Sequence, residues 1–336
     1  MPTFFIREVG LAVVHDLSTL STHALSLQYF LEVMKQNPAL SIPGILEQTF
    51  KDVDCHLCEG SKTQHEKLKA SAEARGSSAI PDDIYRGCGC TAVVAFLRIE
   101  DHNGQQSFLK DCNPGPSTNP PRFDNSNMAA PSNIFTRRRV LYCANAGDSH
   151  GVLCRGGKAI RLTYHHHTSN AEEVERINGA GGQIKKGYVQ GHIMVTRSLG
   201  DYPDEGYVIG TPEQTQTELC DEDEFVILAS DGVSYTLAQA LAQLTHVSLS
   251  SQLWDVFEDQ QAVEFIRDVK NPEEAATNLV NGALEKGTQD NVTVIVIRLK
   301  DFPVHVGEET TNLTWSISQH GSREGGPLWR RMFCCP

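Results

Sequence analysis

The sequence contains no long apolar run, and this absence argues against a membrane-spanning helix. No stretch approaches the roughly 20 consecutive apolar residues that a spanning helix needs. Near the N-terminus, Arg7 and Glu8 interrupt the chain before an apolar signal region forms. We therefore expect a cytoplasmic or nuclear protein whose 10 cysteines are reduced.

Positive charge is also scarce. Lys and Arg together number 29, against 42 Asp and Glu, and the formal net charge is −13. A surface of this sign repels phosphate backbones, so nucleic acid is not expected as the main partner.

Cysteine pairs suited to a metal site are few. Cys55 and Cys58 form one Cys-x-x-Cys pair, but no second pair lies at the spacing of a zinc finger, so a polar segment is the preferred interpretation over a zinc site. Cys334 and Cys335 are adjacent and follow two arginines at the C-terminus, where acylation would give a membrane anchor. A membrane is expected as a partner only if these two cysteines are lipidated.

A length of 336 residues with 40% hydrophobic residues suffices for one large core or two modest ones. Residues 101–139 are rich in Asn, Pro, Ser and Gly without periodicity, which predicts a long, disordered insertion. We expect one domain over residues 1–300 with a polar insertion at about 100–139, followed by an irregular tail over 301–336.

The most informative stretch runs from Phe225 to Gly232. Its apolar residues are typical of a strand buried on both faces, and the run ends on Asp231 followed by Gly232. A carboxylate at a strand end is held rigidly beside a loop-lined cleft, where metal ligands and catalytic carboxylates are often found. The alternative is a strand that simply ends in an Asp-Gly turn.

Two further carboxylates lie at predicted strand boundaries. Asp148 follows the predicted strand Val140–Ala146, for which Gly151–Cys154 is expected to be the hairpin mate, and Asp290 precedes the predicted strand Val292–Leu299. Three consecutive histidines, His165–His167, also invite a metal site. Their side chains cannot converge on one ion from a helix or a strand, so a polar loop is preferred.

Capping residues and periodicity predict the main helices. These are a helix from Ser21 or Thr22 to Met34, one over Ile45–Val53, one over Ala171–Asn178 capped by Ser169 or Asn170, one over Thr236–Leu244, a partly helical stretch over Ser248–Val269, and one from Pro272 to Lys286.

Five collinear segments resemble the motifs of the metal-dependent type 2C serine/threonine protein phosphatases. They are Gly147–Ser149, Leu162–Thr163 with Glu172–Gly182, Thr196–Asp201, Phe225–Gly232 and Asp290–Val294. The resemblance implies an α+β fold, a four-layer α-β-β-α sandwich of two antiparallel sheets flanked by helices. It also implies Mg²⁺ or Mn²⁺ as cofactor, with Asp231 and Asp290 on one ion and Asp148 on a weaker ion that shares Asp231. Within Thr196–Asp201, we expect Arg197 and Asp201 to brace the site.

The first half of the family's site is altered. The family has Asp-Gly-His-Gly-Gly where this chain has His15-Asp16-Leu17-Ser18-Thr19, and Asp16 becomes a ligand only if the alignment slips by one residue. Leu17 takes the position of the family's catalytic His in the ungapped alignment. No phosphate-binding Arg of the family type is found either, because the chain begins after the family's first strand. With Asp148, Asp231 and Asp290 alone, one ion is expected rather than two. Further along, His150 replaces the family's Arg, and His165-His166 replaces its Asp-His.

Three functions therefore remain open. The favoured hypothesis is a catalytically impaired pseudophosphatase that binds phosphorylated proteins or a regulatory partner. The second is an active Mg²⁺- or Mn²⁺-dependent phosphatase that uses Asp16 and whose N-terminal part is incomplete. The third is a membrane-anchored adaptor.

Overall fold

The structure is a computed structural model that describes residues 4–6, 9–15, 20–74, 89–100, 138–201, 204, 206–230, 253–286, 292–299 and 315–320. These residues form two five-stranded antiparallel sheets and a small two-stranded one. In chain order the strands are β1 Phe4–Ile6, β2 Val9–His15, β3 Ala92–Glu100, β4 Arg138–Ala146, β5 His150–Arg155, β6 Lys158–Arg161, β7 Ile184–Lys185, β8 Tyr188–Val189, β9 Glu213–Leu219, β10 Asp223–Ala229, β11 Val292–Arg298 and β12 Trp315–His320.

The first sheet has the order β1-β2-β3-β4-β9 and the second has the order β12-β11-β10-β5-β6, while β7 pairs with β8. The helices in the described part of the chain are α1 Leu20–Gln36, α2 Ile42–Ala74, α3 Ala171–Gly179, α4 Leu253–Val256, α5 Asp259–Ile266 and α6 Pro272–Glu285.

The two large sheets pack face to face. Their inner faces share one apolar cluster, to which Val93 and Leu141 come from the first sheet and Leu153, Leu228 and Ile295 from the second. The outer face of the first sheet is covered by α1 and α2, and that of the second by α4, α5 and α6. This arrangement confirms the expected α+β, four-layer sandwich.

Helices α3 and α6, which have strong capping residues, begin where the sequence predicts. Asn170 accepts a hydrogen bond from the backbone N–H of Glu172 at the start of α3. Asn271 does the same for α6, where Pro272 occupies the first helical position, at which a backbone N–H is not needed.

Helix α2 is much longer than predicted. It spans 33 residues instead of the nine of Ile45–Val53. Ser41 accepts a hydrogen bond from the backbone N–H of Gly44 at its start, and Pro43 lies in the first turn, where it is tolerated. Its first half packs on the first sheet, whereas the part after Cys58 is polar and mostly exposed. The apolar periodicity of the sequence therefore predicted only the half of α2 that packs on the first sheet.

The predicted hairpin of Val140–Ala146 with Gly151–Cys154 is wrong. The first segment belongs to β4, which pairs with β3 and β9 in the first sheet, and the second belongs to β5, which pairs with β10 and β6 in the second sheet. The short link between them therefore carries the chain from one sheet to the other. Gly156 and Gly157 instead form the turn of the β5–β6 hairpin, both with positive φ.

Several strands were not predicted, among them β1, β9 and β12. The polar strand β9 forms one edge of the first sheet, and β1 forms its other edge against β2. Strand β12 pairs with β11, so the segment predicted as an irregular tail over 301–336 contributes six residues to the second sheet.

Several predictions fall on residues outside the described ranges. They include the predicted disorder of residues 101–137, the helix Thr236–Leu244 and the cysteines Cys334 and Cys335. Among the helices that the structure does describe, none is long and apolar enough to cross a membrane.

A buried ion-pair cluster fixes the loop that follows the small sheet. Arg197 donates from Nη2 to Glu173 Oε1 at 2.6 Å and from Nη1 to the carbonyl of Thr211 at 3.1 Å. Arg176 donates to the other Glu173 oxygen at 3.0 Å. Burial alone would raise the pKa of Glu173, but the hydrogen bonds and charges of the two arginines outweigh it and lower the pKa to about 2. Arg197 therefore anchors this loop, and its predicted role in bracing the site stays a prediction.

Asp201 lies near the same loop and accepts a hydrogen bond from the hydroxyl of Ser198. Burial raises the pKa of Asp201 to about 6, an effect to which the charges of Asp204 and Asp54 add. The backbone N–H of Gly200 donates to Asp54 Oδ1 at 2.7 Å, which ties this loop to α2.

We predict that Leu228→Ala lowers the free energy of unfolding by about 2–5 kcal/mol, because it opens a cavity between the two sheets. Leu228 is 0% exposed. The matched control is Leu40→Ala, since Leu40 is 41% exposed and its truncation is expected to cost about 1 kcal/mol or less. Urea unfolding measures both values, and equal losses would contradict the proposed inter-sheet core.

We also predict that the Glu173 cluster stabilises the fold by about 3 kcal/mol near neutral pH, because the folded-state pKa of Glu173 lies well below the ordinary value of a glutamate. A depressed carboxyl pKa stabilises the fold above the unfolded-state value, and this contribution is lost as the pH falls from 4.5 to about 2. The difference in unfolding free energy between wild type and Glu173→Gln should therefore shrink over that pH range. Glu175→Gln, on the exposed side of α3, should show no such dependence.

Candidate active site

The strand register brings several chain segments to one end of the sandwich. In the first sheet His15 pairs with Ala92, and Ala92 pairs with Ala146. In the second sheet Ala229 pairs with both His150 and Val294. The ends of β2, β4 and β10 and the starts of β3, β5 and β11 therefore lie at the end where β4 passes into β5.

The link between β4 and β5 is the turn Gly147–Ser149, and neighbouring side chains hold it closely. Gly147 has φ +120°, and a Cβ there would lie 2.4 Å from the side chain of Thr91, so this position requires glycine. The hydroxyls of Thr91 and Ser149 are hydrogen-bonded at 3.0 Å. Asn145 Nδ2 donates to the carbonyls of Gly147 and Tyr164, each at 3.0 Å. The backbone of the turn is thus fixed from both sides.

Asp148 projects from this turn and is 1% exposed. Neither of its carboxylate oxygens has a hydrogen-bond partner among the residues that the structure describes. The nearest cationic candidate is His167, whose Nε2 lies 3.7 Å from Asp148 Oδ2, beyond hydrogen-bond distance. A buried carboxylate without partners is costly unless a cation offsets its charge.

The three consecutive histidines diverge and lie in a loop, as expected from the sequence, but this loop is largely buried. His166 is buried, and its Nδ1 lies 3.1 Å from the backbone nitrogen and 3.0 Å from the carbonyl oxygen of Gly147, so it can bind this backbone in either tautomer. Burial, together with the charge of Arg197, lowers the pKa of His166 to about 4. His165 turns towards His150, and His167 towards Asp148.

His150 connects this end of the sandwich to α5. Its ring stacks on Trp254 with a centroid distance of 4.0 Å, and its Nε2 lies 3.3 Å from Asp259 Oδ1. Arg161 donates to both oxygens of Asp259, at 2.8 and 2.7 Å. Burial lowers the pKa of His150, and burial together with the charges of neighbouring histidines lowers the pKa of His165 to about 3.

The remaining predicted ligands lie outside the described residues. Asp16 follows directly after β2, Asp231 follows Ser230 at the end of β10, and Asp290 precedes β11 by two residues. The structure therefore does not place their side chains, and their roles stay predictions. Their flanking strand ends nevertheless lie at the same end of the sandwich as Asp148. Ser230 and Thr293 are joined there by a hydrogen bond from the Ser230 N–H to the Thr293 carbonyl at 3.0 Å.

The chemistry of Asp148 fits a hard divalent cation, because carboxylate oxygens are the ligands that Mg²⁺ and Mn²⁺ prefer. Within the described ranges, no group of three or more His, Cys, Asp or Glu side chains is arranged to hold a metal ion. Any complete ion site at Asp148 would therefore need ligands from the segments that carry Asp231 and Asp290, or from water.

Sequence reasoning missed the residues that support this end of the sandwich. Asp259 and Trp254 lie more than 100 residues after His150, and Arg161 lies on the β6 side of a hairpin. Each has an ordinary local context, so only the fold shows that they meet. Glu213, whose Oε2 lies 3.7 Å from His166 Nε2, was missed with β9 itself.

Comparison with known proteins agrees with the motif order. A sequence model of the protein phosphatase 2C family matches residues 123–246 and 247–292. Protein phosphatase 2C homolog 1 of Saccharomyces cerevisiae is 41% identical over 211 residues, which cover 63% of this chain and 60% of the yeast protein. Protein phosphatase 2C homolog 1 of Schizosaccharomyces pombe is 33% identical over 274 residues, covering 81% of this chain and 57% of that protein. The chain thus spans about three fifths of the length of these relatives.

Solved structures support the fold. The crystal structure of serine-threonine phosphatase 2C from Toxoplasma gondii matches with a TM-score of 0.56 at 13% identity, covering 86% of this chain and 84% of that one. At this identity the likeness concerns the fold alone. The family match over half of the sequence shows that the chain belongs to the protein phosphatase 2C family.

Proposed function

We propose that this domain is a metal-dependent phosphatase domain that hydrolyses phosphoserine or phosphothreonine in proteins. The observation that carries the proposal is the Asp148 carboxylate, which is buried and lacks hydrogen-bond partners within the described part of the chain. A protein that had no use for a cation at this point would gain stability by replacing the carboxylate.

The surroundings of Asp148 support the same proposal. The Gly147–Ser149 turn is held rigid by Thr91, Asn145 and His166, so the carboxylate is fixed before any ion binds. When bound, Mg²⁺ or Mn²⁺ activates water and neutralises phosphoryl oxygens. The chain's own contribution is to orient Asp148 and to exclude water from around it.

The catalytically impaired phosphatase remains the second candidate, and the altered segment after β2 is the observation that favours it. Val9–His15 leads into Asp16-Leu17-Ser18-Thr19, which lacks the proton-donating histidine expected from the family resemblance. Under this alternative the domain binds phosphorylated proteins through the same end of the sandwich but releases no phosphate.

We predict that the purified chain releases phosphate from a phosphothreonine peptide in the presence of Mn²⁺, and that EDTA abolishes the release. Asp231→Asn should lower the rate by roughly 100-fold or more, because it removes a proposed metal ligand. Asp221→Asn is the matched control, since Asp221 is fully exposed in the β9–β10 turn and should leave the rate unchanged. Phosphopeptide binding without phosphate release, in wild type and both variants, would instead establish the impaired phosphatase.

A second prediction isolates Asp148. In metal-free solution Asp148→Asn should raise the free energy of unfolding by about 1–3 kcal/mol, because it removes a buried charge that has no partner within the described ranges. Mn²⁺ should stabilise the wild type against thermal unfolding more than it stabilises this variant. A metal-free Asp148→Asn protein that is less stable than wild type would show that Asp148 has an internal partner and is not held ready for a cation.

A further inference from the structure

Two departures from the family's motifs form a single contact. His150 stands where the family has Arg, and His165 stands where it has Asp. In the structure His150 Nδ1 faces His165 Nε2 within hydrogen-bond distance, and the ring centroids are 4.4 Å apart. The chain has therefore changed both members of one contact, and two imidazoles stand where a cation and a carboxylate are expected.

A pair of facing imidazoles needs a defined arrangement of protons. The two ring nitrogens face each other within hydrogen-bond distance, where two N–H groups or two lone pairs would repel each other. One ring must therefore donate a hydrogen bond to the other. The direction of that hydrogen bond is set by whatever binds the opposite nitrogen of His150.

Asp259 occupies that opposite position. Its Oδ1 lies 3.3 Å from His150 Nε2, while Arg161 donates to both of its oxygens and holds the carboxylate in place. A carboxylate accepts hydrogen bonds only, so His150 carries its proton on Nε2. Its Nδ1 is then an acceptor, and His165 donates to it from Nε2.

The ordered pair acts on the segment that carries Asp148. His150 follows Ser149 directly, and it begins β5 opposite Ala229. His165 precedes His166, which binds the backbone of Gly147. The two imidazoles thus join both sides of the Gly147–Ser149 turn.

We propose that Asp259 is a positioning residue, which fixes the His150–His165 hydrogen bond and through it the orientation of Asp148. We further propose that His150 and His165 act as one unit in place of an Arg–carboxylate pair. The positioning role of Asp259 applies to the cation site of the proposed function. The metal-binding experiment described below therefore rests on that proposed function. The proton arrangement and the pairing of the two histidines are testable without metal.

The first experiment compares wild type, Asp259→Asn and Asp268→Asn. With asparagine at 259, Arg161 takes the single side-chain oxygen and the amide N–H₂ faces His150, so the proton of His150 should move from Nε2 to Nδ1. Nitrogen-15 NMR of the histidine rings detects this change, which a mere loss of stability does not produce. Asp268 is exposed just beyond α5, and its variant should keep the wild-type signals.

Calorimetric titration with Mn²⁺ on the same three proteins gives the second readout. Asp259→Asn should weaken binding roughly 10- to 100-fold, the usual effect of removing a residue that orients a metal ligand, and Asp268→Asn should not. Wild-type affinity together with an unchanged His150 proton in Asp259→Asn would overturn the proposal. If wild type itself binds no Mn²⁺, the proposed function fails, and the NMR signals still decide the positioning role.

The second experiment restores the expected pair. His150→Arg and His165→Asp each change the charge at this contact by one unit, whereas the double variant adds a complementary pair. The melting temperature of the double variant should therefore fall by clearly less than the sum of the two single losses. Additive losses would show that His150 and His165 do not act as a unit.

Discussion

A carboxylate that is buried without a hydrogen-bond partner raises the free energy of the folded state, and among the residues that the structure describes Asp148 is such a group. It lies on the turn that carries the chain from one sheet of the sandwich to the other. The same turn is held by Thr91, Asn145 and His166, so the rest of the fold keeps the carboxylate where it is. Much of the packing at this end of the sandwich is explained if the carboxylate meets a divalent cation.

The supporting contacts come from distant parts of the chain. Arg161 and Asp259 reach the turn through His150, and Arg197 and Glu173 brace the loop that pairs with His167. The contacts of His150 and Glu173 lie in a largely buried setting, where removing one partner costs more than an exposed pair contributes, whereas the Arg161–Asp259 pair is partly exposed. The site is thus part of the structural core of the fold.

The sequence predicts those features that depend on local physics. The apolar run of β10, the Asn caps of α3 and α6 and the order of the family's motifs all led to the correct elements. The failures have physical causes. The polar edge strand β9 is held mainly by backbone pairing with β4 and lacks an apolar pattern. The exposed half of α2 has no apolar stripe. The short link between β4 and β5 resembles a hairpin turn in sequence, and only the strand order of the two sheets shows that it is not one. Among the site residues, Asp148 could be predicted from its motif. The Asp259 contact could not, because it joins residues 109 positions apart.

Diffraction from crystals soaked in Mn²⁺, recorded where manganese scatters anomalously, tests the central claim most directly. The account predicts an anomalous peak near the end of β4, close enough to an Asp148 oxygen for direct coordination at about 2.1–2.4 Å or through one bound water. An Asp148 carboxylate hydrogen-bonded to a protein group, with no anomalous peak at this end of the sandwich, would contradict it.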